Sequence, residues 1–196
     1  MIEKQQLRKQ VLQLRNSLTS IERQEKSQTI TNCVSAFREF QEADQYLLFF
    51  SFRSEVDTTE LLRQALSTHK PVYLPKVLGK EMKFYQIENL EELEMGYQGI
   101  LEPKEDKQRE FIPSQKQKIF VLIPGVVFDR EGGRIGYGGG FYDKYLSRLE
   151  GEIIPENLCK LAVAYECQLV ENGLIHREAY DISPNYIVIE DGCIRI

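Results

Sequence analysis

Three short apolar runs govern what this chain can fold into: YLLFFSF (Tyr46 to Phe52), KIFVLIPG (Lys118 to Gly125) and KLAVAY (Lys160 to Tyr165). Each is almost unbroken by polar residues, so neither face of the strand it forms is left for water. Strands buried on both faces belong to parallel sheets covered by helices. PVYLP (Pro71 to Pro75) adds a short strand, and MKFYQI (Met82 to Ile87) alternates as a half-buried one does. Helical patterns lie between them. Leu7, Val11, Leu14 and Leu18 recur at helical spacing, with Lys4, Arg8, Lys9 and Arg15 in the polar remainder, so the first helix is amphipathic with a basic face. TSIE (from Thr19) and DTTE (from Asp57) have capping-box spacing; the first opens a helix through Ile30, Val34 and Phe37, the second the helix TELLRQAL. YDKYLSRL continues the helices, Glu88 to Gln117 reads as loop with short elements, and YIVIEDGCIRI ends the chain as a hairpin turning at Asp191-Gly192. Strands alternating with helices predict a three-layer α/β/α sandwich with a largely parallel, Rossmann-like sheet and a C-terminal β-hairpin.

The 196 residues suit one domain able to bury about 70% of its unfolded surface. A net charge of -5 argues against a nucleic-acid surface, which carries a basic excess. No apolar run has the roughly 20 residues of a membrane helix, and the charged N-terminus is unlike a signal peptide. A cytoplasmic protein without nucleic-acid or membrane partners, and a monomer, is expected. Cys33, Cys159, Cys167 and Cys193 are far apart and read as small buried hydrophobes. His69 and His176, the only histidines, read as loop residues, which disfavours histidine triads and multi-histidine metal sites.

The segment GRIGYGGGFYDKY then poses a question of chemistry. It follows the strongest strand, and ligands of such sheets bind beyond the carboxyl ends of the strands. It is not a P-loop, because no Lys-Ser or Lys-Thr follows the glycines, and a G-x-G-x-x-G register from Gly136 would place Phe141 at the third glycine. A flexible turn before a helix is one reading. The other is an anion site: main-chain N–H groups bared by glycine at a helix N-terminus, Arg134 as a phosphate donor, Asp143 as a carboxylate suited to magnesium beside phosphate, and Tyr137, Phe141 and Tyr142 as flat surface for a ring.

PGVVFDREGGRIGYGGGFYDKYL (Pro124 to Leu146) closely resembles the signature of the 5-formyltetrahydrofolate cyclo-ligase family, also called 5,10-methenyltetrahydrofolate synthetases. Supporting matches are Lys4 and Arg8 in the first helix, Arg15 to Leu18, and FFSFRSEVDTTEL. The resemblance implies ATP- and magnesium-dependent closure of 5-formyltetrahydrofolate to 5,10-methenyltetrahydrofolate through a phosphorylated formyl group, with release of ADP and phosphate. It implies ATP contacts from Lys4, Arg8, Arg134, Ile135, Gly136, Tyr137, Gly138, Gly139, Gly140, Phe141 and Tyr142. Folate contacts would come from Phe50, Glu55, Tyr137 and Tyr142, magnesium would lie at Asp143, and Arg134, Tyr142 and Asp143 would be the catalytic set. Two positions depart from the family pattern. Phe141 stands where tyrosine is frequent, and DISPN gives Asp181 and Asn185 where Asp-x-x-x-Asp is common and the second aspartate lies near the metal. The rival readings are an ATP-dependent ligase or kinase acting on another small molecule, and a non-catalytic nucleotide sensor.

Overall fold

A computed structural model describes residues 3–196. Its main sheet has seven strands: β1 (Gln45–Leu47), β2 (Val72–Leu78), β3 (Glu81–Ile87), β4 (Ile119–Ile123), β5 (Leu158–Val163), β6 (Tyr186–Ile189) and β7 (Gly192–Arg195). Their order across the sheet is β7-β6-β5-β4-β1-β2-β3. The five central strands run parallel, and β3 and β7 close the two edges antiparallel to their neighbours. The helices are α1 (Lys4–Ser17), α2 (Ser20–Ser35), α3 (Arg38–Glu42), α4 (Thr59–Ser67) and α5 (Phe141–Glu152).

Strand β4 shows why the sheet needs helices on both sides. Phe120 and Leu122 pack with Ile30 and Val34 of α2 and Leu61, Leu62 and Ala65 of α4, while Ile119, Val121 and Ile123 pack with Tyr145, Leu146 and Leu149 of α5. All five β4 side chains are buried, as an uninterrupted apolar run requires. Helix α1 does not lie on the sheet. Its Leu7 and Val11 pack on Val126, Val127 and Ile135 in a small ribbon that pairs Val127–Phe128 with Arg134–Ile135.

Several local expectations are corrected. Leu14 is 54% exposed, and the buried stripe of α1 runs through Leu7, Val11 and Arg15 instead. The run Tyr46 to Phe52 pairs only as far as the Leu48 amide, because the Phe49 carbonyl turns away to accept the Thr58 hydroxyl. That hydroxyl also accepts from the Ser51 amide, so Thr58 ties the loop after β1 shut and leaves the α4 N-terminus to Asp57, which accepts from the Thr59 amide. The expected DTTE box is therefore not formed, whereas the Thr19–Glu22 box is. The C-terminal hairpin turns one residue early, since Ile189 pairs with Gly192 around Glu190 and Asp191. Cys33, Cys159 and Cys167 are only partly buried and Cys193 is exposed, all as free thiols.

Candidate active site

In this strand order the chain leaves β1 toward β2 but leaves β4 toward β5, so the two central strands diverge at their carboxyl ends. Such a switch point opens a crevice. A cavity of about 780 Å³ occupies it, walled by the Phe49–Glu55 loop after β1, Pro124 after β4, the far half of β2, the glycine segment and the N-terminal turn of α1. Every residue named above as a candidate contact borders this cavity. His69 and His176 do not.

The glycine segment is held in place before its glycines begin. Asp129 Oδ1 accepts from the amides of Glu131 and Gly133, forming the turn that returns the chain along Val127–Phe128 and delivers Arg134 to the cavity wall. Gly138 has φ +103°, a conformation L side chains rarely adopt, and Arg8 packs over it with Nη2 3.7 Å from the position a Cβ would take. Gly140 is left-handed, at φ +65°, and leads straight into α5 without a side-chain cap. The first N–H groups of α5 therefore face the cavity with no side chain satisfying them, as an anion site requires.

Each cation named for phosphate has an internal partner. Lys4 Nζ is 2.8 Å from Asp181 Oδ2, and Arg8 Nε donates to the Gly136 carbonyl at 2.7 Å. Arg134 is buried, donates from Nη2 to Asp143 and from Nη1 to the Pro124 carbonyl, and its Nε has no partner. Asp143 also accepts from the Ile182 amide.

A second polar cluster borders the same cavity. The Glu55 carboxylate accepts from the Phe52 amide at 2.8 Å and from the Tyr137 hydroxyl at 2.9 Å. Burial raises the Glu55 pKa, opposed by the Phe52 amide, the Arg15 charge and Tyr137. Burial, with Glu55 adding to it, pushes the Tyr137 phenol up to about 12. Tyr142 is pushed up further by burial, and its hydroxyl lacks a partner.

The residues fit a magnesium ion accompanied by phosphate. Among the described residues no three His, Cys, Asp or Glu side chains converge, as a closed protein cage would need. Yet Asp143 and Asp181 both border the cavity, and magnesium commonly takes one or two carboxylates plus phosphate oxygens. Asn185 is not part of this wall. Its Oδ1 accepts from the Lys160 amide at the start of β5, so its missing charge does not bear on the cavity.

Sequence reasoning passed over two contributors. Arg15, placed on the basic face of the first helix and in the Arg15-to-Leu18 match but given no role, is buried and bonded to the Tyr137 hydroxyl at 2.7 Å; its spacing of four from Val11 was a further signal. The hairpin Glu94–Met95 with Leu101–Glu102 supplies Tyr97, whose ring centroid lies 5.9 Å from that of Phe141. No periodicity marks strands of two residues.

Fold and site together define an α/β enzyme whose ligand cavity opens at the carboxyl ends of its central strands. Residues 1–190 match the model of the 5-formyltetrahydrofolate cyclo-ligase family, and the chain belongs to that family. It is 34% identical over 175 residues to a 5-formyltetrahydrofolate cyclo-ligase of Haemophilus influenzae, covering 87% of this chain and 89% of that protein. A counterpart from Escherichia coli is 32% identical over 164 residues, covering 82% and 87%. The solved structure of Aquifex aeolicus 5,10-methenyltetrahydrofolate synthetase superposes with a TM-score of 0.81 at 33% identity, covering 99% of this chain and 93% of that one. No helix of the described residues is long and apolar enough to cross a membrane.

Proposed function

We propose that this chain, acting as one catalytic domain and as a cytoplasmic monomer, converts 5-formyltetrahydrofolate and ATP to 5,10-methenyltetrahydrofolate, ADP and phosphate. The observation that carries this reading is the meeting, in one cavity, of three cations and a glycine-bared helix N-terminus with a partly buried carboxylate and aromatic rings. Such a cavity suits a phosphate-bearing ligand beside a planar one. The formyl oxygen is a poor leaving group, so ATP first transfers its terminal phosphoryl group to it. The neighbouring amine nitrogen attacks the activated carbon and loses its proton, and the carbon–oxygen bond breaks to release phosphate. No protein nucleophile is needed; the work is alignment and charge neutralisation.

Lys4, Arg8 and Arg134 with the N–H groups of Gly136, Gly138, Gly139 and Gly140 hold the phosphates, which requires exchange of their internal partners for phosphate oxygens. Ile135, Tyr137, Phe141 and Tyr142 complete the nucleotide wall, and Phe50, Glu55, Tyr137 and Tyr142 hold the folate. Asp143 and Asp181 would hold magnesium, which neutralises phosphate charge when bound. The test is the appearance of methenyltetrahydrofolate absorbance when purified protein receives 5-formyltetrahydrofolate with and without MgATP. Absence of an ATP-dependent product sinks the reading.

A further inference from the structure

Arg15 is 1% exposed, does not border the cavity and, among the described residues, bonds to Ser54 and Tyr137 and to no carboxylate. Its Nε donates to Ser54 Oγ at 3.1 Å, its Nη2 donates to the Tyr137 hydroxyl at 2.7 Å, and its Nη1 is buried without a partner. A guanidinium buried on these terms is costly, so its placement calls for a counter-charge. That charge lies one link further on. Arginine only donates, so the Tyr137 oxygen is the acceptor and its proton goes to Glu55 Oε1 at 2.9 Å. The other Glu55 oxygen takes the Phe52 amide at 2.8 Å. Glu55 thus accepts on both oxygens, as an ionised carboxylate does, and each oxygen keeps a lone pair. The chain Arg15–Tyr137–Glu55 also joins α1, the glycine segment and the loop after β1, three of the elements that wall the cavity.

We propose that Arg15 is a positioning residue for folate recognition: its charge and donor-only guanidinium fix the Tyr137 hydroxyl on Glu55 and keep Glu55 an ionised acceptor for the paired N–H donors of the pteridine ring. This rests on the reading of Glu55 as the folate contact. The groups facing Glu55 are Arg15 from α1, Tyr137 from the glycine segment and Tyr142 from α5, while the Tyr165 hydroxyl takes the Glu55 main-chain carbonyl. Only Arg15 among them is a cation. Burial raises the Glu55 pKa and Arg15 lowers it, so without Arg15 the carboxyl protonates at higher pH and loses an acceptor.

Full-length Arg15→Met, Arg15→Lys and Glu55→Gln variants are compared by steady-state kinetics, varying folate and ATP separately from about pH 5 to 9. Arg15→Met is expected to raise the folate KM about tenfold or more, the scale of a lost charge-assisted hydrogen bond, with smaller changes in kcat and in the KM for ATP. The rise is largest at low pH and shrinks as Glu55 ionises. Arg15→Lys keeps the charge without the fork and restores part of the folate KM; it also carries the test if the Met variant does not fold. An unchanged folate KM, an equal rise for both substrates, or a rise that ignores pH overturns the inference. Glu55→Gln separates the two claims. If it leaves the folate KM unchanged, Glu55 is not the folate contact; if it raises the KM while Arg15→Met does not, only the role of Arg15 fails.

Discussion

Replacing Tyr142 by phenylalanine sets stability against activity at a single oxygen atom. The Tyr142 hydroxyl is buried at the cavity with no hydrogen-bond partner among the described residues, and its ring packs edge-to-face with Phe84 at a centroid distance of 6.3 Å. Phenylalanine keeps that ring contact and removes only the unpaired group. A buried polar group without a partner costs about 1–3 kcal/mol. Because the Tyr142 side chain is only partly enclosed, the lower end applies, and Tyr142→Phe is expected to gain about 1 kcal/mol of stability. For a chain of this length that is about 2–4 °C in Tm.

Activity should move the other way. Burial keeps the Tyr142 phenol protonated well above its ordinary range, with Glu55 adding to the effect, so the group is a neutral donor at neutral pH. A donor held ready for a ligand is strongest when the ligand oxygen carries charge, and its loss should cost about tenfold to a hundredfold in kcat/KM. Thermal melts followed by circular dichroism and steady-state turnover of 5-formyltetrahydrofolate measure the two effects on one preparation. A variant that melts lower with unchanged kcat/KM would refute the reasoning, because the hydroxyl would then be structural and already satisfied.

Three further variants probe the same wall. Asp143→Ala removes the carboxylate paired with buried Arg134, whose Nε already lacks a partner; turnover should be lost and stability should fall by about 1–3 kcal/mol, less than for a fully enclosed pair. Adding Arg134→Met should restore stability in denaturant titrations but not turnover, and a double variant no more stable than the single one would contradict the pairing argument. Gly138→Ala forces a side chain to φ +103° beneath Arg8, so a stability loss of about 1–3 kcal/mol and a higher KM for ATP than for folate are expected; equal effects on both substrates would count against the nucleotide assignment. For Asp181, burial raises the pKa, but the Glu178 amide and Lys4 together outweigh it and hold the group below its ordinary value. A lowered folded pKa stabilises above the unfolded value of about 3.9, so Asp181→Asn should cost up to about 1 kcal/mol at neutral pH, and the gap should close as pH falls below about 4. A gap that persists in acid would show that the loss is not ionic.

How much of this could be read beforehand depended on whether the deciding partner was near in sequence. Strand β4 was legible because its own composition denies water both faces. The Thr19–Glu22 box was legible because both partners lie within one helical turn. DTTE has the same spacing and failed, since the Asp57 carboxylate accepts from the Thr59 amide and the Asp57 amide donates to Ser27 Oγ, thirty residues away. Arg15 is the sharper case. A guanidinium following Leu7 and Val11 on one stripe reads as solvated, because burying it is unfavourable until Ser54 and Tyr137 arrive from 39 and 122 residues away. Leu14 points outward because the face of α1 that meets the ribbon around Val127 and Ile135 runs through Leu7, Val11 and Leu12. The glycine segment was legible as a turn leading into a helix beyond the strongest strand, where it borders the cavity, but not the pairing of Arg134 with Asp143 or of Lys4 with Asp181. Those pairs alter the energetics of the site. On the proposed reading, phosphate would exchange one anion for another at Lys4 and Arg134, so its net gain there is the difference between two ion pairs. The same exchange would free Asp143 and Asp181, so cation and nucleotide are expected to bind with positive coupling.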